Sequence, residues 1–171
     1  FLMLNHKLPK KGIKYGLEVF EEVSAKYNKC KLCMFGMCDN SNLPNYVEYY
    51  QNPTKQKLVD LYSDADIFLF PSLEEGWGLT PLEAMACGCI VVGTNTGFVL
   101  DIGKNEENMM ISEPGNLKQM RENIDIILNN KDLRNNIIEN AIKTVEKLNW
   151  NNSCAQLEKI LKTTCKIEER R

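Results

Sequence analysis

Ile67-Phe68-Leu69-Phe70-Pro71-Ser72-Leu73-Glu74-Glu75-Gly76-Trp77-Gly78-Leu79-Thr80-Pro81-Leu82-Glu83-Ala84-Met85-Ala86-Cys87-Gly88-Cys89-Ile90-Val91-Val92 is the stretch that decides the fold. It opens with four apolar residues in a row, stopped by Pro71. A uniformly apolar run, not an alternating one, is what a parallel strand covered on both faces requires. Leu79–Gly88 reads as a helix and Ile90–Gly93 as the next apolar strand. Thr80 has N-cap chemistry, with Pro81 at the first helical position and Glu83 three residues after the cap, a capping-box pattern. Gly88 suits the left-handed residue that closes a helix.

The same grammar extends in both directions. Phe1–Asn5 reads as a short strand and Leu8-Pro9-Lys10-Lys11-Gly12 as a breaker-rich turn. Ile13, Leu17, Val19, Phe20 and Val23 then recur at helical spacing to about Tyr27. Leu32–Phe35 reads as a buried strand ended by Gly36, followed by a loop with Asn40, Ser41, Asn42 and Pro44 and a brief strand around Tyr46–Tyr49. Thr54 starts a short helix carrying Leu58, Leu61 and Tyr62. Downstream come a weaker strand at Asn108–Ile111 and helices near Asn116–Leu128, Asp132–Lys147 and Trp150–Lys162. This alternation predicts βαβ units with right-handed crossovers: an α/β, doubly wound, Rossmann-like parallel sheet forming one domain over 1–171.

Composition bounds the function. Hydrophobic residues are 43% and charged residues 26%, as in soluble globular domains. Basic and acidic residues number 21 and 23, for a net charge of −2, which argues against a nucleic-acid-coating surface. Lys7, Lys10, Lys11 and Lys14 are the one basic concentration near the amino end, and they also suit a solvated turn at a helix start. No apolar run approaches the roughly 18–20 residues that span a bilayer. No secretory leader is read, because the basic residues follow the apolar start. A cytoplasmic setting is expected. The chain opens mid-strand on Phe1, so an excised domain with more protein upstream is expected. The seven cysteines are Cys30, Cys33, Cys38, Cys87, Cys89, Cys154 and Cys165. With His6 the single histidine and no second paired ligand set, they read as reduced thiols packed as small apolar residues, without a metal site.

In open α/β sheets ligands sit beyond the carboxyl ends of the strands. That rule selects the loops Asn5–Gly12, Gly36–Pro44 and Pro71–Leu79. Gly76 and Gly78 let backbone approach closely at a helix start, where free amides and the helix dipole suit a phosphate. For Glu83 two readings stand side by side, helix cap and ligand. Glu75, between a strand-ending proline and a glycine, has no structural task visible in the sequence and faces the cleft.

Glu75 and Glu83 lie seven residues apart within E-G-W-G-L-T-P-L-E-A-M-A-C-G-C-I-V-V. The segment resembles the E-x7-E signature of retaining glycosyltransferases of the GT-B fold, in particular family 4, glycosyl transferases group 1. Lys11-Gly12, Ala65-Asp66-Ile67-Phe68-Leu69-Phe70-Pro71-Ser72 and Trp150 agree with that family's pattern in order. The resemblance covers essentially the whole chain, as the C-terminal, donor-binding half of such an enzyme. It implies the following roles. Glu83 would bind the ribose hydroxyls of a nucleotide-diphosphate sugar, and Glu75 the donor sugar. Amides around Gly76, Gly78, Leu79 and Thr80 would hold the distal phosphate, and Lys11 would neutralise the diphosphate leaving group. No metal or other cofactor would be needed. A saccharide or lipid-linked acceptor, and any peripheral membrane association, would belong to an N-terminal half. His6 stands where the family commonly places arginine; either Lys7 or Lys10 substitutes, His6 contacts phosphate differently, or the site is weakened. Tyr49, Tyr50 and Gln51 lie near the family's base-binding loop. The competing readings are a non-catalytic nucleotide- or partner-binding module and a sugar-nucleotide epimerase or phosphorylase sharing the fold.

Overall fold

The computed structural model describes residues 1–164. Among them, six strands form one parallel sheet: β1 (Leu2–Leu4), β2 (Leu32–Gly36), β3 (Val47–Gln51), β4 (Ile67–Phe70), β5 (Ile90–Thr94) and β6 (Met110–Ser112). Their spatial order is β3-β2-β1-β4-β5-β6, and every pairing is parallel. The helices are α1 (Ile13–Lys26), α2 (Lys55–Asp64), α3 (Leu79–Ala86), α4 (Val99–Ile102), α5 (Leu117–Asn129), α6 (Lys131–Val145) and α7 (Trp150–Thr164). The doubly wound expectation therefore holds. The short α4 and a 3-10 turn at Pro9–Lys11 are additions that the hydrophobic spacing did not mark.

The period-two geometry of strands explains the two cores. On β4, Phe68 and Phe70 face one side with Leu61 and Tyr62 of α2 and Leu82, Ala84 and Met85 of α3. Ile67 and Leu69 face the other, with Val19, Phe20 and Val23 of α1 and Met120, Ile124 and Ile127 of α5. All four β4 residues are buried, so an unbroken apolar run is the pattern this position demands. Helix α6 reaches both cores, through Ile137 on one side and Ala141 on the other.

Two sequence readings need correction. Helix α3 starts at Leu79, so Thr80 and Pro81 lie inside its first turn and Thr80 is not the N-cap. Gly78 takes that position in the left-handed region, φ +95°, with no side-chain cap bond, and the Thr80–Glu83 capping box does not form. The C-terminal end agrees with the reading: Gly88 has φ +79°, and the amides of Gly88 and Cys89 bond back to Met85 and Ala84, a Schellman closure. The cysteines are less uniformly packed than their contexts suggested. Cys89 is buried, Cys30, Cys33, Cys38 and Cys87 are half-buried, and Cys154 is exposed; Cys165 lies outside the described residues. Cys30 and Cys33 pack against opposite cores. Burial pushes the Cys89 thiol up to about 12.

Trp150, Leu157, Ile160 and Leu161 on α7 are exposed. No helix among the described residues is long and apolar enough to cross a membrane.

Candidate functional site

Strand order changes direction between β1 and β4. The chain leaves β1 for β2 through α1 on one face and leaves β4 for β5 through α3 on the other, which opens a crevice at their carboxyl ends. Two loops meet there, Asn5–Gly12 after β1 and Pro71–Gly78 after β4. The Leu73 amide donates to the Lys10 carbonyl at 2.7 Å. A Cβ on Gly12 would stand 1.9 Å from the Pro71 carbonyl oxygen, so only glycine permits this approach. Backbone contact between the loops is what brings together side chains 64 residues apart: Lys11 Nζ lies 2.5 Å from Glu75 Oε2.

That pair is largely out of water, its side chains 18% and 12% exposed. Glu75 Oε1 also accepts from the Gly76 amide at 3.1 Å. Glu75 thus has a structural partner that the sequence did not show, and the reading that it has no such task is corrected. Lys11, Glu75, Gly78, Leu79 and Thr80 line one cavity of about 210 Å³ over the ends of β1 and β4. Gly76 is exposed and does not line this cavity, and an added Cβ there would meet nothing within 4 Å. Close protein approach therefore does not explain glycine there. An ammonium carries three donors, so Lys11 can hold Glu75 and still serve an anion.

Glu83 sits one turn along α3 and faces a neighbouring cleft of about 590 Å³, lined by Trp77, Leu79, Leu82, Val145 and Trp150. Leu79 lines both cavities. Glu83 Oε2 accepts from the Tyr62 hydroxyl of α2 at 2.9 Å. Burial, followed by the nearby Glu83 carboxylate, pushes the Tyr62 phenol well above its ordinary value, so it stays a donor.

His6 is not brought to Lys11. Its Nδ1 accepts the Leu8 amide at 3.0 Å, and its ring lines a separate cleft of about 800 Å³ with Lys7, Lys14 and Asp39. Lys7 and Lys10 are engaged at the surface by Asp39 and Glu74, at 3.6 and 4.0 Å. Such exposed pairs are weak, roughly 0–1 kcal/mol. On β3 the Tyr49 hydroxyl donates to the Cys38 carbonyl and the Tyr50 hydroxyl to Glu48. Among the described residues no three His, Cys, Asp or Glu side chains form a group able to hold a metal.

Sequence reasoning missed two contributors. Tyr62 was assigned only to a helix face, although a buried tyrosine needs a partner for its hydroxyl. The loop after β5 also supports the site: the Phe98 amide donates to the Trp77 carbonyl at 2.8 Å, and Thr94 Oγ1 bonds the Ser72 carbonyl. A glycine in the turn after an apolar strand, Gly97, was the available signal.

A parallel sheet of this order, with a cation–carboxylate pair beside an open helix start at its switch point, defines a Rossmann-like α/β domain. Residues 1–144 match the model of the family Glycosyl transferases group 1. An uncharacterized glycosyltransferase of Methanocaldococcus jannaschii is 31% identical over 166 residues, covering 89% of this chain and 42% of that protein. The capsular polysaccharide biosynthesis glycosyltransferase CapM of Staphylococcus aureus is 30% identical, covering 80% and 38%. The crystal structure of the C-terminal domain of the group 1 glycosyl transferase LpcC from Francisella tularensis superposes with a TM-score of 0.75 at 22% identity, covering 85% of this chain and 84% of that one. The chain belongs to the glycosyl transferases group 1 family. It spans about two fifths of the length of these two curated relatives.

Proposed function

We propose that this domain is the donor-binding half of a retaining, metal-independent hexosyltransferase that uses a nucleotide-diphosphate sugar. The observation that carries the reading is the Lys11–Glu75 pair at the switch point, beside the first turn of α3. The Leu79 and Thr80 amides belong to the first turn of a helix, where backbone N–H groups lack intrahelical partners and suit a phosphate. Lys11 stands next to them to neutralise charge as the diphosphate leaves. Glu75, oriented by Lys11, faces the sugar, and Glu83 the ribose. In a front-face transfer the bond from the anomeric carbon to phosphate oxygen breaks as the acceptor hydroxyl oxygen bonds the same face. The hydroxyl proton passes to the departing diphosphate, and configuration is retained. The acceptor, a saccharide as CapM's role in capsular polysaccharide suggests or a lipid-linked one, would be held by a further domain, in the cytoplasm.

Calorimetric titration of the chain with uridine, guanosine, adenosine and cytidine diphosphates and their sugars tests this. One of them should bind, unaffected by EDTA, and Glu83→Ala should weaken it about 10- to 100-fold, the worth of a charged hydrogen bond. No binding by any of them, or undiminished affinity in Glu83→Ala, refutes the reading. His6, turned to the separate cleft in place of a phosphate-binding arginine, favours one alternative, a nucleotide-binding module without turnover. Tight binding without transfer or donor hydrolysis by the chain joined to its acceptor-binding half would select it.

A further inference from the structure

We infer that Tyr62 is a positioning residue for Glu83 and sets this domain's preference for ribose over deoxyribose in the nucleotide it binds. The inference rests on the donor-site reading and goes one step beyond it, to a residue on α2 that is itself 2% exposed and has no access to ligand.

Glu83 is the sixth residue counted from Gly78 and makes no capping bond, so its helix does not fix its carboxylate. A glutamate on an exposed helix face samples several rotamers and loses entropy when a ligand selects one. Here the Tyr62 hydroxyl holds Oε2 at 2.9 Å, and among the described residues no protein group donates to Oε1. The phenol is itself immobile. Its ring packs edge-on to Phe35 at 5.6 Å and against Phe68 at 5.8 Å, two side chains projecting from the sheet. The chain of support therefore runs from the sheet through Tyr62 to Glu83. One carboxylate oxygen is anchored and the other is left for a hydroxyl donor in the cleft. A ribose hydroxyl is such a donor, and a deoxyribose carbon is not. Loss of the anchor should leave the carboxylate charge in place and remove its pre-set orientation, which costs affinity only where a ligand hydroxyl uses it.

The test compares the best-binding ribonucleoside diphosphate with its 2′-deoxy and 2′,3′-dideoxy counterparts, titrated into the wild-type chain, Tyr62→Phe, Glu83→Asp and Glu83→Ala. Tyr62→Phe keeps the ring between Phe35 and Phe68; thermal melting confirms folding, and Glu83→Asp removes the same hydrogen bond by shortening the side chain. The wild type should prefer the ribonucleotide about tenfold or more. Tyr62→Phe and Glu83→Asp should both reduce that preference to about threefold or less, with dideoxy affinity unchanged. An equal loss for ribo and dideoxy ligands would reduce Tyr62 to a structural role and overturn the inference. So would an intact preference in Tyr62→Phe alongside its loss in Glu83→Ala, which leaves the donor-site reading standing. Undiminished ribonucleotide binding in Glu83→Ala, or no nucleotide binding at all, overturns both.

Discussion

Replacing Lys11 with methionine, an uncharged side chain of similar length, probes the junction that holds the site together. Lys11 and Glu75 meet at 2.5 Å with 18% and 12% of their side chains exposed. An exposed pair contributes roughly 0.2–1 kcal/mol. Stripping one partner from a fully buried pair costs about 3–5 kcal/mol, because the survivor is left charged and uncompensated. The residual exposure places Lys11→Met between these limits, at about 2 kcal/mol. For a chain of 171 residues, each kcal/mol moves Tm by roughly 2–4 °C, so Lys11→Met should melt about 4–8 °C lower. Glu75→Gln leaves an amide oxygen for the ammonium and should cost less, about 1 kcal/mol. The double variant carries neither charge, so its cost should fall short of the sum by about 1–2 kcal/mol. Thermal and urea unfolding of the four proteins, at low salt and in 1 M NaCl, measures the coupling. Most of it should survive salt, which screens exposed pairs far more than shielded ones. Additive costs, or a coupling abolished by salt, would refute the reasoning that Lys11 and Glu75 form a shielded, mutually stabilising pair.

Three further outcomes follow from the geometry. Thr80→Ala should change stability by less than about 0.5 kcal/mol, against the roughly 1 kcal/mol that loss of a threonine N-cap costs; a larger loss in urea unfolding would restore Thr80 as the cap. Gly97→Ala should disturb the site by pressing on Glu75 from behind, since its Cβ would lie 2.5 Å from the Trp77 carbonyl oxygen and 2.9 Å from Glu75 Cγ, at φ +58°. A destabilisation of about 1–3 kcal/mol together with weakened nucleotide binding is expected, and wild-type values of both would contradict the buttress. At high pH stability should fall. The folded state raises the Cys89 thiol from 9.0 to about 12, so it binds the proton more tightly than the unfolded chain. The stabilisation is complete below pH 9 and is lost as pH rises through 12, with the raised Tyr62 phenol adding to the same slope. Equilibrium unfolding between pH 8 and 11 measures it, and a flat or rising profile would contradict the burial argument.

The arrangement of elements was legible because burial and periodicity are local. The unbroken Ile67–Phe70 run, the helical spacing after Gly12 and the Thr54 cap each report which face meets the core within one element, and Thr54 does accept the Lys57 amide as its position implied. The neighbourhood of the site was legible for a similar reason: in a parallel sheet the loops after β1 and β4 must lie at one end. Only the tertiary structure decided which side chains meet. Lys11 finds Glu75 because Gly12 admits the Pro71 carbonyl and Leu73 bonds to Lys10, contacts between segments whose separate sequences say nothing of each other. His6 turns away because a nearer acceptor role, toward the Leu8 amide, satisfies its ring within its own loop. The start of α3 moved ahead of Thr80 because Trp77, bonded to Phe98 from the loop after β5, and Gly78, left-handed, bring the chain into the helix earlier than local capping chemistry alone would set. Glu83 was thereby released from the cap and came to rest on Tyr62, 21 residues away. Local pattern determined the sheet, its helices and the end at which the candidate site lies; long-range backbone contact, which no local pattern encodes, decided the partners of each charged group.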